Sequence, residues 1–279
     1  MSAAKPGTSC SPARPARVSL RSTPGYALRS TPGYAFALLL ASASVFAAAS
    51  IDYIREARWA QEVLAGLVVG EPVYLATPTR ARVLALDTVA SGAAKGSVIV
   101  VHGVGVHPDW GLIGGVRTGL ADAGFSTLSV QMPVLAADAT RDDYRIAIPE
   151  AGDRIAAAIA FLRARGVAKI AIVSHSMGAT MVDAYLARPD AARIDAWVPV
   201  GMLVDFASAP KEPVLDVIAE RDFAEVKAGT VARSPRLPKD GCSRAVTIAG
   251  TDHYFDQRQK ELTAAIAEFL ERAFANRCT

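Results

Sequence analysis

The chain has 279 residues, 51% of them hydrophobic and 20% charged, which is enough apolar material for one sizeable core and too much for a disordered chain. Its 30 Lys and Arg against 27 Asp and Glu give a net charge of +3, yet Lys5, Arg14, Arg17, Arg21 and Arg29 all fall in the first 50 residues, which hold no acid. The remainder carries 25 basic against 27 acidic residues, a net charge of −2 without a sustained basic run, so nothing in it argues for nucleic-acid binding.

Residues 1–49 read as an export leader, with a basic start, an apolar core over 35–46 and Ala47-Ala48-Ala49 as a small-residue cleavage site. This predicts an exported protein, periplasmic or secreted. An uncleaved anchor is a competing reading, because 34–51 is almost long enough to span a bilayer; an organelle transit peptide is another, because the start is rich in Arg and Ser. The core is short and contains serine, which disfavours the anchor, and no stable membrane insertion is expected. Residues 20–27 recur unchanged as 28–35, a tandem duplication too short to be a solenoid.

Residues 50–279 read as one domain. Apolar runs predict strands at 73–76, 82–88, 97–101, 125–131, 169–173, 197–203, 214–219 and 244–249, most of them from the third onward followed by helical patterns. The first two, joined by a short turn containing Pro78, fit an antiparallel hairpin. The clearest helix spans 149–165: Pro149 suits its first turn, Ile155, Ile159 and Leu162 mark one face, and Gly166 ends it. Strands alternating with helices predict an α/β domain with a mainly parallel eight-stranded sheet covered on both faces. Only 204–212 joins the sixth and seventh strands, short for a parallel crossover. That leaves no room there for a helical lid, although 132–145 offers a flap or a solvated loop.

Ser174-His175-Ser176-Met177-Gly178-Ala179 lies where the strand at 169–173 gives way to a helix, the context of a nucleophile elbow. Small residues two before and two after the nucleophile let strand and helix approach, and Ser174 and Gly178 meet that need. A small-x-Ser-x-Gly pattern alone arises by chance roughly once per thousand positions, and serine is also a common helix N-cap. The rest of the constellation carries the reading. A serine hydroxyl needs a base to take its proton and a third group to orient that base. His253 follows the last strand and Asp222 follows the seventh, so the order Ser, Asp, His matches α/β-hydrolases. Asp205 and Glu220 stand behind Asp222 as the acid, whereas Asp216 falls inside an apolar strand. The oxyanion donors expected are the N–H groups of Met177 and Val104, with Gly103 next, in the loop His102-Gly103-Val104-Gly105. His102, Gly103 and His107 are expected to line the substrate mouth, and His175 to be a packed or hydrogen-bonded neighbour. No two histidines share ligand spacing on a helix face, so neither metal nor organic cofactor is expected.

The chain resembles the α/β-hydrolases from about Trp59 to its C-terminus. Within them VHGVGVHPDWGLIG, SVQMPVLAAD, SHSMGA, PVLDVIAERD and GTDHYF together resemble a little-characterised family of exported bacterial hydrolases. The resemblance implies a serine hydrolase working through Ser176, His253 and Asp222, with a small-molecule acyl substrate. A thioesterase or peptidase is the nearest competitor among enzymes; a non-catalytic envelope binding or adaptor module on the same fold is the competitor outside them. With Cys10 in the leader, Cys242 and Cys278 remain; an antiparallel return of the last helix to the last strand would let them form a disulfide, and two unpaired cysteines are the competing reading.

Overall fold

The computed structural model describes residues 50–278. The leader, its cleavage site and Cys10 lie outside the described residues.

Alternation of apolar strands with amphipathic helices resolves into sixteen segments. They are α1 (Tyr53–Gly66), β1 (Glu71–Leu75), β2 (Val83–Thr88), β3 (Ser97–Val101), α2 (Gly111–Asp122) and β4 (Ser126–Val130). A 3-10 turn (Asp142–Ala147) leads into α3 (Ile148–Ala164), β5 (Ile170–His175), α4 (Met177–Leu186), β6 (Ala196–Val200), β7 (Leu215–Ala219) and α5 (Ala224–Arg233). A second 3-10 turn (Ser234–Arg236) precedes β8 (Arg244–Ile248) and α6 (Gln259–Phe274). The strands form one eight-stranded sheet in the order β1-β2-β4-β3-β5-β6-β7-β8. β2 runs antiparallel to both β1 and β4, and the pairs from β4 to β8 are parallel.

Strand alternation divides the core between the two faces of the sheet. Ile99, Val101, Ile170 and Ile172 pack with α3 and α4 through Ile155, Ile159, Met181 and Tyr185. Val98, Val100, Ala171 and Val173 pack with α2 and α6 through Leu112, Val116, Ile266 and Phe269. Each central strand is therefore buried on both sides, as an apolar run without polar alternation requires.

The short 204–212 connection contains no helix. Its carbonyls are held by a buried side chain instead: the Arg233 guanidinium donates to Met202 O at 3.0 Å and Val204 O at 2.5 Å and grips Asp216 at 2.9 and 3.0 Å. This is where Asp216 is spent, and the strand reading that set it aside as the acid agrees. Segment 132–145 is a packed strap at its start and a solvated loop further on, with 136–138 and 140–142 exposed. Met132, Val134, Leu135 and Tyr144 are buried, Leu135 bridges Ile51, and Arg55 on α1 donates to Leu135 O at 2.7 Å. Cys242 and Cys278 form a disulfide, tying the start of β8 to the chain beyond α6.

Candidate active site

Three elements end at the same carboxyl edge of the parallel sheet. β5 runs straight into α4 through Ser176, whose φ of 56° and ψ of −122° place a non-glycine residue in strained backbone. The turn is held by Ser176 N–H donating to Val200 O at 2.8 Å. Both small flanking residues are needed sterically. Ser174 is fully buried with its hydroxyl accepting from Trp197 Nε1 at 2.9 Å. A Cβ on Gly178 would collide with the His102 carbonyl oxygen and stand 2.8 Å from that of Val101.

Around this turn His253 Nε2 lies 3.0 Å from Ser176 Oγ, and His253 Nδ1 lies 2.7 Å from Asp222 Oδ1. The structure thus brings together three side chains spread from position 176 to position 253. Asp222 is sealed beneath the imidazole, and its Oδ2 accepts from Ala219 N at 3.2 Å while Oδ1 also accepts from Phe223 N at 2.9 Å. Burial pushes this carboxyl up, but the hydrogen bonds from His253 and the two backbone amides outweigh it and hold it below the usual carboxylate range. The two other candidate acids point elsewhere. Asp205 pairs with Arg236 at 2.8 Å, and Glu220 accepts from Gly250 N at 2.8 Å, bracing the loop that carries His253.

The remaining histidines divide by burial. His175 sits beside the imidazole, ring centroids 4.8 Å apart, and its Nε2–H donates to His253 O at 2.9 Å. Burial, with the neighbouring His253 charge, pushes it down to about 4, so it stays neutral. His102 does not reach the substrate mouth: its ring is fully buried, Nδ1–H donates to Gly103 O at 2.9 Å, and Nε2 accepts from Met132 N at 2.9 Å. Desolvation drives it to about 3. His107 likewise stands apart from the cavity; it meets Trp59 edge-on at 6.2 Å and accepts from Asp109 N at 3.3 Å. Gly103 does lie at the site, where a Cβ would come within 3.0 Å of His175 O and 3.1 Å of Ser176 Cβ. His102 and Gly103 therefore shape the loop, and only Gly103 faces the cavity.

The cavity above Ser176 measures about 280 Å³. Val104, Val106, Trp110, Leu203, Phe223 and Tyr254 give it an apolar and aromatic wall, with Met177 at its floor. Of these the sequence argument identified only Val104 and Met177. Phe223 and Tyr254 follow the acid and the base directly, a signal visible in hindsight, and Arg141 reaches the cavity from a segment with no motif at all. A second groove, about 810 Å³, opens below the amino ends of β6 and β7 and is lined by Arg188, Asp195 and Glu212, without a nucleophile and base in contact. Size alone would favour it, but the contact between Ser176 and His253 lies at the smaller cavity.

Residues 83–152 match a family described as a protein of unknown function, DUF3530. No curated protein matches the chain. Among solved structures it is similar to Est1E from Butyrivibrio proteoclasticus, at 20% identity and a TM-score of 0.57, over 73% of this chain and 99% of that one. XC6422 from Xanthomonas campestris, described as an a/b serine hydrolase without lid, matches at 15% identity and a TM-score of 0.59, over 74% and 95%. Dienelactone hydrolase from Anabaena variabilis matches at 19% identity and a TM-score of 0.57, over 71% and 95%. At such identities the likeness establishes the fold, and it is that of the α/β-hydrolases.

Proposed function

We propose that this α/β-hydrolase-fold protein is a serine hydrolase that cleaves a carboxylic ester or related acyl bond. The observation that carries the reading is the unbroken relay of Ser176 Oγ, His253 and Asp222, with contacts of 3.0 and 2.7 Å, at the floor of an open cavity. Ser176 attacks the acyl carbon while His253 Nε2 takes its proton; Asp222 keeps the imidazole proton on Nδ1 and stabilises the imidazolium that forms. The Met177 N–H heads α4 and has no partner within the helix, so it is available to the developing oxyanion. Val104 N–H, one residue beyond the glycine packed on Ser176, is the second donor. His253 then protonates the leaving group, and water, deprotonated by the same imidazole, releases the acyl group and regenerates Ser176. An exported setting belongs to the same proposal, supported by the leader pattern and by the Cys242–Cys278 disulfide, a bond that persists in oxidising compartments.

A cavity of this size and openness suits short or accessible acyl groups. Wild-type protein is therefore expected to hydrolyse a chromogenic short-chain ester and to be labelled by a fluorophosphonate probe. Ser176→Ala should abolish both in folded protein, and Asp222→Asn should lower kcat by roughly three to four orders of magnitude by misorienting the base. Undiminished turnover by pure Ser176→Ala would reject the proposal, and an inert Ser176 in folded wild-type protein would return the chain to a binding role.

A further inference from the structure

We infer that Arg141 makes the site selective for acyl substrates bearing a negative charge, such as the monoester of a short dicarboxylic acid. This rests on the serine-hydrolase reading and names the substrate class for it. Arg141 is the single formally charged side chain among the residues that line the cavity over Ser176; the others are glycine, apolar or aromatic residues, Ser176, His253 and the neutral His175. No carboxylate lines the cavity with it.

Its own neighbours leave the guanidinium uncompensated. Asp142 pairs with Arg145 at 3.3 Å. Asp143 Oδ2 accepts from both the amide and the hydroxyl of Thr140 at 2.7 Å. Among the described residues Arg141 makes no ion pair, and what sets it apart from other unpaired arginines such as Arg82 and Arg193 is its place in the lining of the cavity.

The segment that carries it is anchored. Arg141 O accepts from Tyr144 N at 3.2 Å, and the buried Tyr144 ring closes that turn against the core, with its hydroxyl accepting from Leu135 N at 3.3 Å. The cation is therefore presented on a fixed backbone while its side chain remains exposed and hydrated. A planar guanidinium binds carboxylate through two parallel hydrogen bonds. Walls formed by Val104, Trp110, Phe223 and Tyr254 exclude water from one side of such a pair and strengthen it. The same walls take the methylene or aryl portion that separates the charge from the scissile carbonyl.

The test compares matched esters in two arms. One sets 4-nitrophenyl hemiglutarate against 4-nitrophenyl pentanoate, placing the charge on the acyl side; the other sets 4-acetoxybenzoate against phenyl acetate, placing it on the alcohol side. In at least one arm wild type should favour the anionic ester in kcat/KM by a factor of about ten or more. That ratio should fall toward unity in Arg141→Gln, invert in Arg141→Glu, survive in part in Arg141→Lys, and shrink as salt is raised. Fluorophosphonate labelling of Ser176 in each variant verifies an intact site. Serine-dependent turnover with no anionic preference in either arm, or a preference that Arg141→Gln retains, overturns the inference and leaves the hydrolase reading standing. If wild type neither labels nor turns over any of the four esters, both fall together.

Discussion

Three of the four histidines end strands or loops at one edge of the sheet, and their surroundings give them different tasks. His253 lines the cavity in contact with Ser176, His175 ties the carbonyl of the His253 loop, and His102 fastens β3 to Met132. The buried His102 ring carries a pH cost with a definite sign. Its folded value of about 3 lies below the ordinary 6.5, so between those limits the unfolded chain binds a proton that the folded chain refuses. Stability is then lost as pH falls below 6.5, by about 1.4 kcal/mol per unit for this one group. His102→Gln removes that dependence. Urea titrations should therefore show the stability gap between wild type and His102→Gln narrowing from pH 6.5 to 4.5; a gap independent of pH would mean that the ring is not held neutral. Ser176 and His253 were legible from strand-end placement and chain order. Arg141 and the buried role of His102 were not, because neither follows from local pattern: one depends on where a motif-free segment returns, the other on which ring the core swallows.

Elements were read from the sequence in proportion to how far apolar burial shaped them. β3 and β7 match their expected spans to within a residue, being apolar runs buried on both faces. β6 ends at Val200, earlier than its apolar run suggests, because Gly201 turns the chain at φ 61°. There a Cβ would press within 2.8 Å of the His253 ring, so the strand stops where the imidazole must sit. α1 carries an apolar stripe, Ala60, Val63 and Leu64 with Leu67 just past its end, that packs on Leu84 and Leu86 of β2 and was not picked out in the sequence. It also docks through Glu56, whose carboxylate accepts from the buried Arg154 at 2.9 Å, and through Tyr53, whose hydroxyl donates to Glu150 at 2.7 Å. The β5–α4 junction is the most constrained of these. Gly178→Ala should cost more than about 2 kcal/mol and impair turnover, since its methyl can be seated only by moving backbone oxygens. Gly166→Ala, in open space at φ 79°, should cost only about 1 kcal/mol and leave activity intact. Equal melting temperatures for the two variants would contradict this account of the elbow.

Across the whole molecule the sheet is clasped late in the chain, where β7 and β8 depend on α6 and on the Cys242–Cys278 bond. The bond closes a loop with a sequence separation of 36. Restricting the unfolded chain over that length stabilises the fold by roughly 3–4 kcal/mol. Replacing both cysteines with alanine should lower stability by about that amount while ester turnover at low temperature persists, as measured by chemical denaturation and initial rates. A double variant as stable as the disulfide-bonded protein would show the clasp to be dispensable. The sequence by itself determined the class of fold and the strand succession, and it singled out Ser176 and His253 together with a short list of acids. Each of these follows from period, chain order or the geometry of neighbouring elements. Only the tertiary structure decided which acid of several meets the imidazole, which histidines vanish into the core, how a connection without a helix satisfies its carbonyls, and which cation lines the cavity over Ser176. Those are contacts between residues far apart in the chain, set by how the packed elements close on one another, and no local pattern encodes them.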